Sequence, residues 1–188
     1  VSSKASILER IRAAKPADRP LPSLPSDPPA ALAEWEEAFR TVLAASKTTF
    51  ITREEIPGYV AASGAKTIVS TRPECDGNLD PRTVADPLQL AGVDVAVLSA
   101  RLGVAENGAL WVSEEEAVHR VMPFITQHLV LVLEREQLVG TMHQAYRRID
   151  IAATGFGVFI AGPSKTADIE QSLVIGAHGP RSLAVCLC

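Results

Sequence analysis

Apolar positions along the chain recur with two periods, and the changes of period outline a fold. From Ala31 to Ala45, Leu32, Trp35, Ala38, Phe39, Val42 and Leu43 return at steps of three and four, which predicts an amphipathic helix. Thr48 to Thr52 reads as a short strand. Glu54 to Ala62 reads as a Pro-interrupted helix ended by Gly64, and Lys66 to Ser70 as the next strand. Val93 to Ser99 (VDVAVLS) and Ala109 to Ser113 (ALWVS) are strands joined by Arg101 to Gly108. Glu114 to Met122 is a polar turn or brief helix capped by Ser113. His128 to Leu133 (HLVLVL) is a near-continuous apolar run, the pattern of a strand covered on both faces. Glu134 to Arg148 has helical spacing, with Leu138, Val139, Met142 and Tyr146 on one side. Two last apolar runs, Val158 to Ala161 and Leu183 to Cys188, bracket a stretch rich in glycine and polar residues. Strands alternating with helices predict one α/β domain over residues 30–188 with a mainly parallel sheet.

Residues 1–29 stand apart from this pattern. Ser6 to Arg12 has the spacing of a short amphipathic helix, and Pro16 to Pro29 holds six prolines, which support neither a helix nor a central strand. The segment reads as an extended arm lying across the domain or reaching a neighbouring subunit, or equally as a plain flexible leader. Cys75 to Pro87, rich in Asp, Gly, Asn and Pro, reads as a long loop with one short helical turn, of the kind that borders sites.

Composition narrows the classes of function. A formal charge of −4 gives no electrostatic case for nucleic acid or an anionic membrane. No apolar run reaches the ~18 residues of a membrane helix, and no secretory signal opens the sequence, so a cytoplasmic location is expected. Val1 stands where a start methionine would, which leaves open whether the numbering begins after processing or within a longer chain. The three cysteines, Cys75, Cys186 and Cys188, form no Cys-x-x-Cys motif. They fall short of the about four thiolates that an iron–sulfur cluster takes. Cys186 and Cys188, two apart in a strand pattern, share a face and read as small buried hydrophobes. No His/Cys/carboxylate cluster has metal-ligand spacing, so no metal site is expected, and no Gly-x-Ser-x-Gly elbow is present.

The candidate chemistry lies between the last two apolar runs, where open α/β sheets place ligands outside the carboxyl ends of strands. A tight loop, Gly162-Pro163-Ser164-Lys165-Thr166, leads to an expected helix with Thr166 as N-cap and Asp168 and Glu170 in its first turn. The P-loop spacing is absent. A loop feeding a helix start still offers backbone N–H groups to a carboxylate or phosphate, and Lys165 adds a point charge. A capped helix with an exposed lysine is an equal reading, and Asp168 and Glu170 weaken the field. In the second corner, Gly176-Ala177-His178-Gly179-Pro180-Arg181, His178 is a side chain able to exchange protons near neutrality. Arg181 is suited to gripping a carboxylate in two-point fashion. The plainer account has His178 fixing the corner by bonding the loop that carries Asp168. His119 and His143 read as surface residues, and His128 as a satisfied structural histidine. Glu114-Glu115-Glu116 reads as a solvated helix start.

The segment GPSKTADIEQSLVIGAHGP resembles the C-terminal signature of the LUD-domain family. The likeness runs through Gly162-Pro163-Ser164, Thr166-Ala167-Asp168-Ile169-Glu170 and the Gly176-x-His178-Gly179-Pro180 corner. It extends more weakly through Gly103 to Leu110 and the His128-led strand, covering roughly Ala91 to Cys188. The resemblance implies a Rossmann-like, mainly parallel sheet flanked by helices, of the type shared with sugar-phosphate isomerases, CoA transferases and formyltetrahydrofolate cyclo-ligase. It implies a subunit or accessory protein of a bacterial system oxidising L-lactate to pyruvate, with iron–sulfur clusters on partner proteins and no cofactor on this chain. The cysteine count fits that division. The site expected on these grounds comprises Gly162, Ser164, Lys165, Thr166, Asp168, Glu170, His178, Gly179 and Arg181, holding a small carboxylate or phosphate. Glu106 is expected as a third wall, and Glu106 and His178 are the candidates for catalysis. Glu106-Asn107-Gly108 is also similar to the Ser-Glu-Asn-Gly motif of CoA transferases, whose glutamate attacks an acyl-CoA to form a thioester. Ala105 replaces the serine, and no Gly-rich loop suits a CoA pyrophosphate. The alternatives are thus a stand-alone enzyme of CoA-transferase or isomerase type using Glu106, a metabolite sensor on an enzyme-like fold, or an ordinary Asn-Gly turn.

Overall fold

A computed structural model describes residues 3–17, 19–20, 32–166 and 174–188. Its centre is a five-stranded sheet made of β1 (Thr49–Ile51), β2 (Ile68–Ser70), β3 (Val95–Ala100), β6 (His128–Leu133) and β11 (Ser182–Leu187). The order is β1-β11-β6-β3-β2, and every pairing is parallel. A second sheet, β7-β4-β5-β8, joins β4 (Leu102–Val104), β5 (Ala109–Ser113), β7 (Leu138–Val139) and β8 (Gly157–Ile160). A two-stranded ribbon pairs β9 (Lys165–Thr166) with β10 (Val174–Ile175). The architecture is mixed α/β with a mostly parallel central sheet flanked by helices.

Alternation along each strand decides what covers which face. Leu129, Leu131 and Leu133 of β6 face a core shared with Phe39 and Leu43 of α2 (Leu32–Ala45) and with Leu110 and Val112 of the second sheet. Val130 and Val132 face the other way, onto Ile56 and Val60 of α3 (Ile56–Ala62), beside Val95, Val97, Ala184 and Cys186. Both faces of β6 are buried, as its unbroken apolar run requires. Each fully buried leucine there contributes about 2 kcal/mol of apolar transfer free energy. A third cluster, Leu102, Val104, Ala109, Trp111 and Val139, seals the outer face of the second sheet under Ala145 of α6 (Met142–Arg148).

Several local readings need correction. Residues 134–148 are not one helix. A 3-10 turn (Arg135–Gln137) leads into β7, whose Leu138 and Val139 pair in parallel with Gly103 and Val104. Only then does α6 begin, opened by a capping box between Thr141 and Gln144. The Arg101 to Gly108 connection contains β4, which forms a hairpin with β5. The 75–87 loop and the residues after it carry two 3-10 turns, Pro81–Thr83 and Pro87–Gly92, where Asp80 and Asp86, each just before a proline, accept the backbone N–H groups of Arg82 and Leu88. His119 is half-buried, not a surface residue, and its Nε2 lies 2.9 Å from the Pro81 carbonyl. His128 is structural, with Nδ1 2.8 Å from Ser182 Oγ. Short helices α4 (Glu114–Ala117), α5 (Met122–Ile125) and α7 (Ile151–Thr154) complete the second half. At the start, α1 (Ser3–Ala13) buries none of its side chains. Most of residues 16–29, the proline-rich part of the arm, falls outside the described residues. Among the described residues no helix is long and apolar enough to cross a membrane.

Candidate functional site

β8 ends at Ile160 and the chain turns at Gly162, whose φ is +107°. A Cβ there would stand 2.6 Å from Ser46 Oγ at the end of α2, so both dihedral and space call for glycine. Ser164 is then bound on two sides by the later corner. Its N–H donates to the Pro180 carbonyl at 2.9 Å, and its carbonyl accepts from Gly176 N–H at 3.0 Å. Gly179 closes the contact, because an added Cβ would lie 3.2 Å from Ser164 Cβ. Between loop and corner opens a cleft of about 310 Å³. Its polar rim is Ser164, Lys165 and His178, and its interior is Phe124, Leu129, Val158, Ile160 and Leu183.

The structure thus brings Gly162, Ser164, Lys165, His178 and Gly179 together around one cleft. The other expected members are placed differently. Thr166 is not an N-cap; it lies in β9 and pairs with Val174. Asp168 and Glu170 lie outside the described residues. Arg181 donates its backbone N–H to the Gln127 carbonyl at 2.8 Å, its side chain packs over Gly176, and it does not line the cleft. Glu106 borders a separate groove with Glu34, Glu37, Ala38 and Val42. Its exposed carboxylate accepts the Met142 N–H at 2.7 Å, which makes it a cap for α6 and no third wall. A water-exposed, hydrogen-bonded carboxylate lacks the desolvation that an acyl-CoA nucleophile needs. The Asn-Gly pair closes a loop of residues 105–108, with Gly108 at φ +69° and its N–H on the Val104 carbonyl.

The cleft also sits at the opposite end of the sheet from the expected one. It borders Leu129 and Leu183, the second residues of β6 and β11, and therefore opens at the amino ends of the parallel strands. The carboxyl ends carry a separate charged cluster that motif reading did not find. Arg72 donates to Glu74 at 2.6 and 3.0 Å and to Ser99 Oγ at 3.3 Å. Glu134 accepts from Arg53 at 2.8 and 2.9 Å and from Arg72 at 3.4 Å. The Arg72 guanidinium holds the Glu74 carboxyl below its ordinary range, against a smaller opposing effect of burial. Cys188 Sγ lies 3.7 Å from Glu134 Oε2. Burial and the neighbouring Cys188 push the Cys186 thiol up to about 12. Among the described residues no three His, Cys, Asp or Glu side chains gather as a metal site would need.

A family model described as LUD domain matches residues 87–188, more than half of the chain. The chain belongs to the LUD domain family. The matched LUD region holds β3, β6, β11, the whole second sheet and both walls of the cleft. Lactate utilization protein C of Shouchella clausii is 32% identical over 118 residues, covering 58% of this chain and 50% of that protein. Lactate utilization protein C of Bacillus subtilis is 29% identical over 100 residues, covering 50% of this chain and 42% of that protein. The LUD chain therefore spans about half the length, or less, of these curated relatives. A DUF162 family protein from Deinococcus radiodurans, known from its crystal structure, shares the fold. Its TM-score is 0.63 at 17% identity, over 85% of this chain and 99% of that one.

Proposed function

We propose that this LUD chain is a subunit or accessory protein of an L-lactate oxidation system, acting beside iron–sulfur proteins that hold the redox centres. The observation that carries the reading is its likeness to proteins named lactate utilization protein C, together with the LUD domain match over the residues that build the cleft. The cleft supports a binding role for an anion. Lys165 and His178 stand at its rim, and no carboxylate among the described residues lines it. A small carboxylate meets the Lys165 ammonium, and its hydroxyl lies within reach of Ser164 and His178.

The test is reconstitution with the iron–sulfur partner proteins, reading lactate-dependent reduction of an acceptor dye. Omitting the chain should abolish the signal, and Lys165→Ala should lower it by about tenfold, the worth of one charge-assisted hydrogen bond. Full activity in the absence of the chain would overturn the reading.

A further inference from the structure

The cleft is larger and more apolar than a three-carbon acid requires. Its volume of about 310 Å³ falls in the range of sites that enclose ligands of many atoms. Every polar side chain at its border comes from the two corners, Ser164 and Lys165 from one and His178 from the other. The other side chains lining it, among the described residues, are apolar. Leu129 and Leu183 are buried at its floor, while Phe124 at the mouth remains 41% exposed, an uncommon position for a large aromatic. Consecutive residues Val158, Phe159 and Ile160 of β8, an edge strand of its sheet, all border the cleft. The charge is lopsided as well, with cationic and imidazole groups at the rim and no acid opposing them among the described residues.

We infer that the cleft takes an amphiphilic monoanion, a carboxylate carried on an apolar body of several carbons. The head group sits on Lys165 and His178, and the body lies between Phe124 and β8. The inference rests on the same cleft being the ligand site of the proposed function and names the class of ligand that fills it. Lactate occupies the rim alone and leaves the hydrocarbon wall in contact with water. A longer acid covers that wall, and each added methylene brings about 0.8 kcal/mol of transfer free energy, close to fourfold in affinity.

Calorimetric titration of the full chain with the straight-chain series from acetate to octanoate, and with L-lactate, at fixed ionic strength tests this. Affinity should climb by about two- to fourfold per methylene until the cleft is full. Lys165→Ala should weaken every member by about tenfold and leave that slope intact. Phe124→Ser, at an exposed position where folding is spared, should flatten the slope and leave the lysine effect intact. Binding of lactate with no dependence on chain length overturns the inference and leaves the lactate reading standing. Octanoate binding with the expected slope, beside no lactate binding, supports the inference and removes lactate as the ligand. A slope that survives both substitutions places the chain elsewhere on the protein and overturns the inference.

Discussion

Lys47 holds φ at +65°, a left-handed conformation that costs a side chain with a Cβ about 1 kcal/mol. It does so because α2 ends there. The Thr48 N–H turns back onto the Leu43 carbonyl at 3.1 Å, the closing bond of a helix terminus that glycine fills best. Lys47→Gly should therefore raise stability by about 0.5–1 kcal/mol, read as a higher urea midpoint with unchanged slope. A lower midpoint would show that the lysine makes contacts worth more than the strain. Glu106 shows the opposite relation between motif and role. The glutamate that resembles a nucleophile spends its carboxylate on one backbone N–H, that of Met142. Glu106→Ala should cost about 1 kcal/mol and Glu106→Gln much less, in thermal melts, since an amide oxygen also accepts that bond. An acyl-CoA-derived thioester trapped on Glu106 would refute the capping assignment.

The helices and strands show which patterns a sequence exposes. β3, β5, β6 and β11 were legible as apolar runs, because a strand buried on both faces has no room for polar residues. Residues 134–148 were not. Leu138, Val139, Met142 and Tyr146 fit a helical stripe, yet the first two belong to a strand and the others to a helix. The deciding signal is Thr141-x-x-Gln144, a capping box that marks a start where the stripe alone implies continuity. β4 escaped for a related reason, since a three-residue strand with Gly103 in its middle has too little side chain to show a period. That glycine is forced by packing, as a Cβ would stand 2.4 Å from Leu133 Cδ2. The two corners around the cleft were legible because Gly-Pro steps and clustered polar residues interrupt apolar strands. Their position at the amino ends was not, because only the assembled sheet tells which way β6 and β11 run.

Across the molecule, the charged cluster ties together the segments following β1, β2 and β6, and its members lie too far apart in sequence to form a motif. Arg53 and Glu134 are separated by 81 positions. Glu74 is the inner acid of this cluster, with a side chain only 10% exposed, and Arg72 keeps its carboxyl titrating below the ordinary value. A carboxyl depressed in the folded state stabilises the protein fully above its unfolded value of about 4.3, and that contribution disappears as pH falls through the folded value. Glu74→Gln should accordingly lose about 1 kcal/mol at neutral pH, through a half-broken, partly buried pair, and flatten the fall of stability below about pH 4. Chemical denaturation across pH 2–7 checks both; parallel acid limbs for the variant and the parent would refute the linkage.

The pairing of β1 with β11 imposes an order on biosynthesis. Among the described residues β1 has one neighbour in its sheet, β11, which is translated after the other four strands of that sheet. Until residues 182–187 emerge, β1 has no ladder to join, and one edge of β6, HLVLVL, is bare. Between the emergence of β6 and that of residues 182–187, a ribosome-bound chain therefore carries an unpaired, strongly apolar strand edge, the kind of surface on which nascent chains associate wrongly. Ribosomes stalled just short of Ser182 would yield an aggregating product, and the sheet closes only once β11 has emerged, in a late step with long loops to shut.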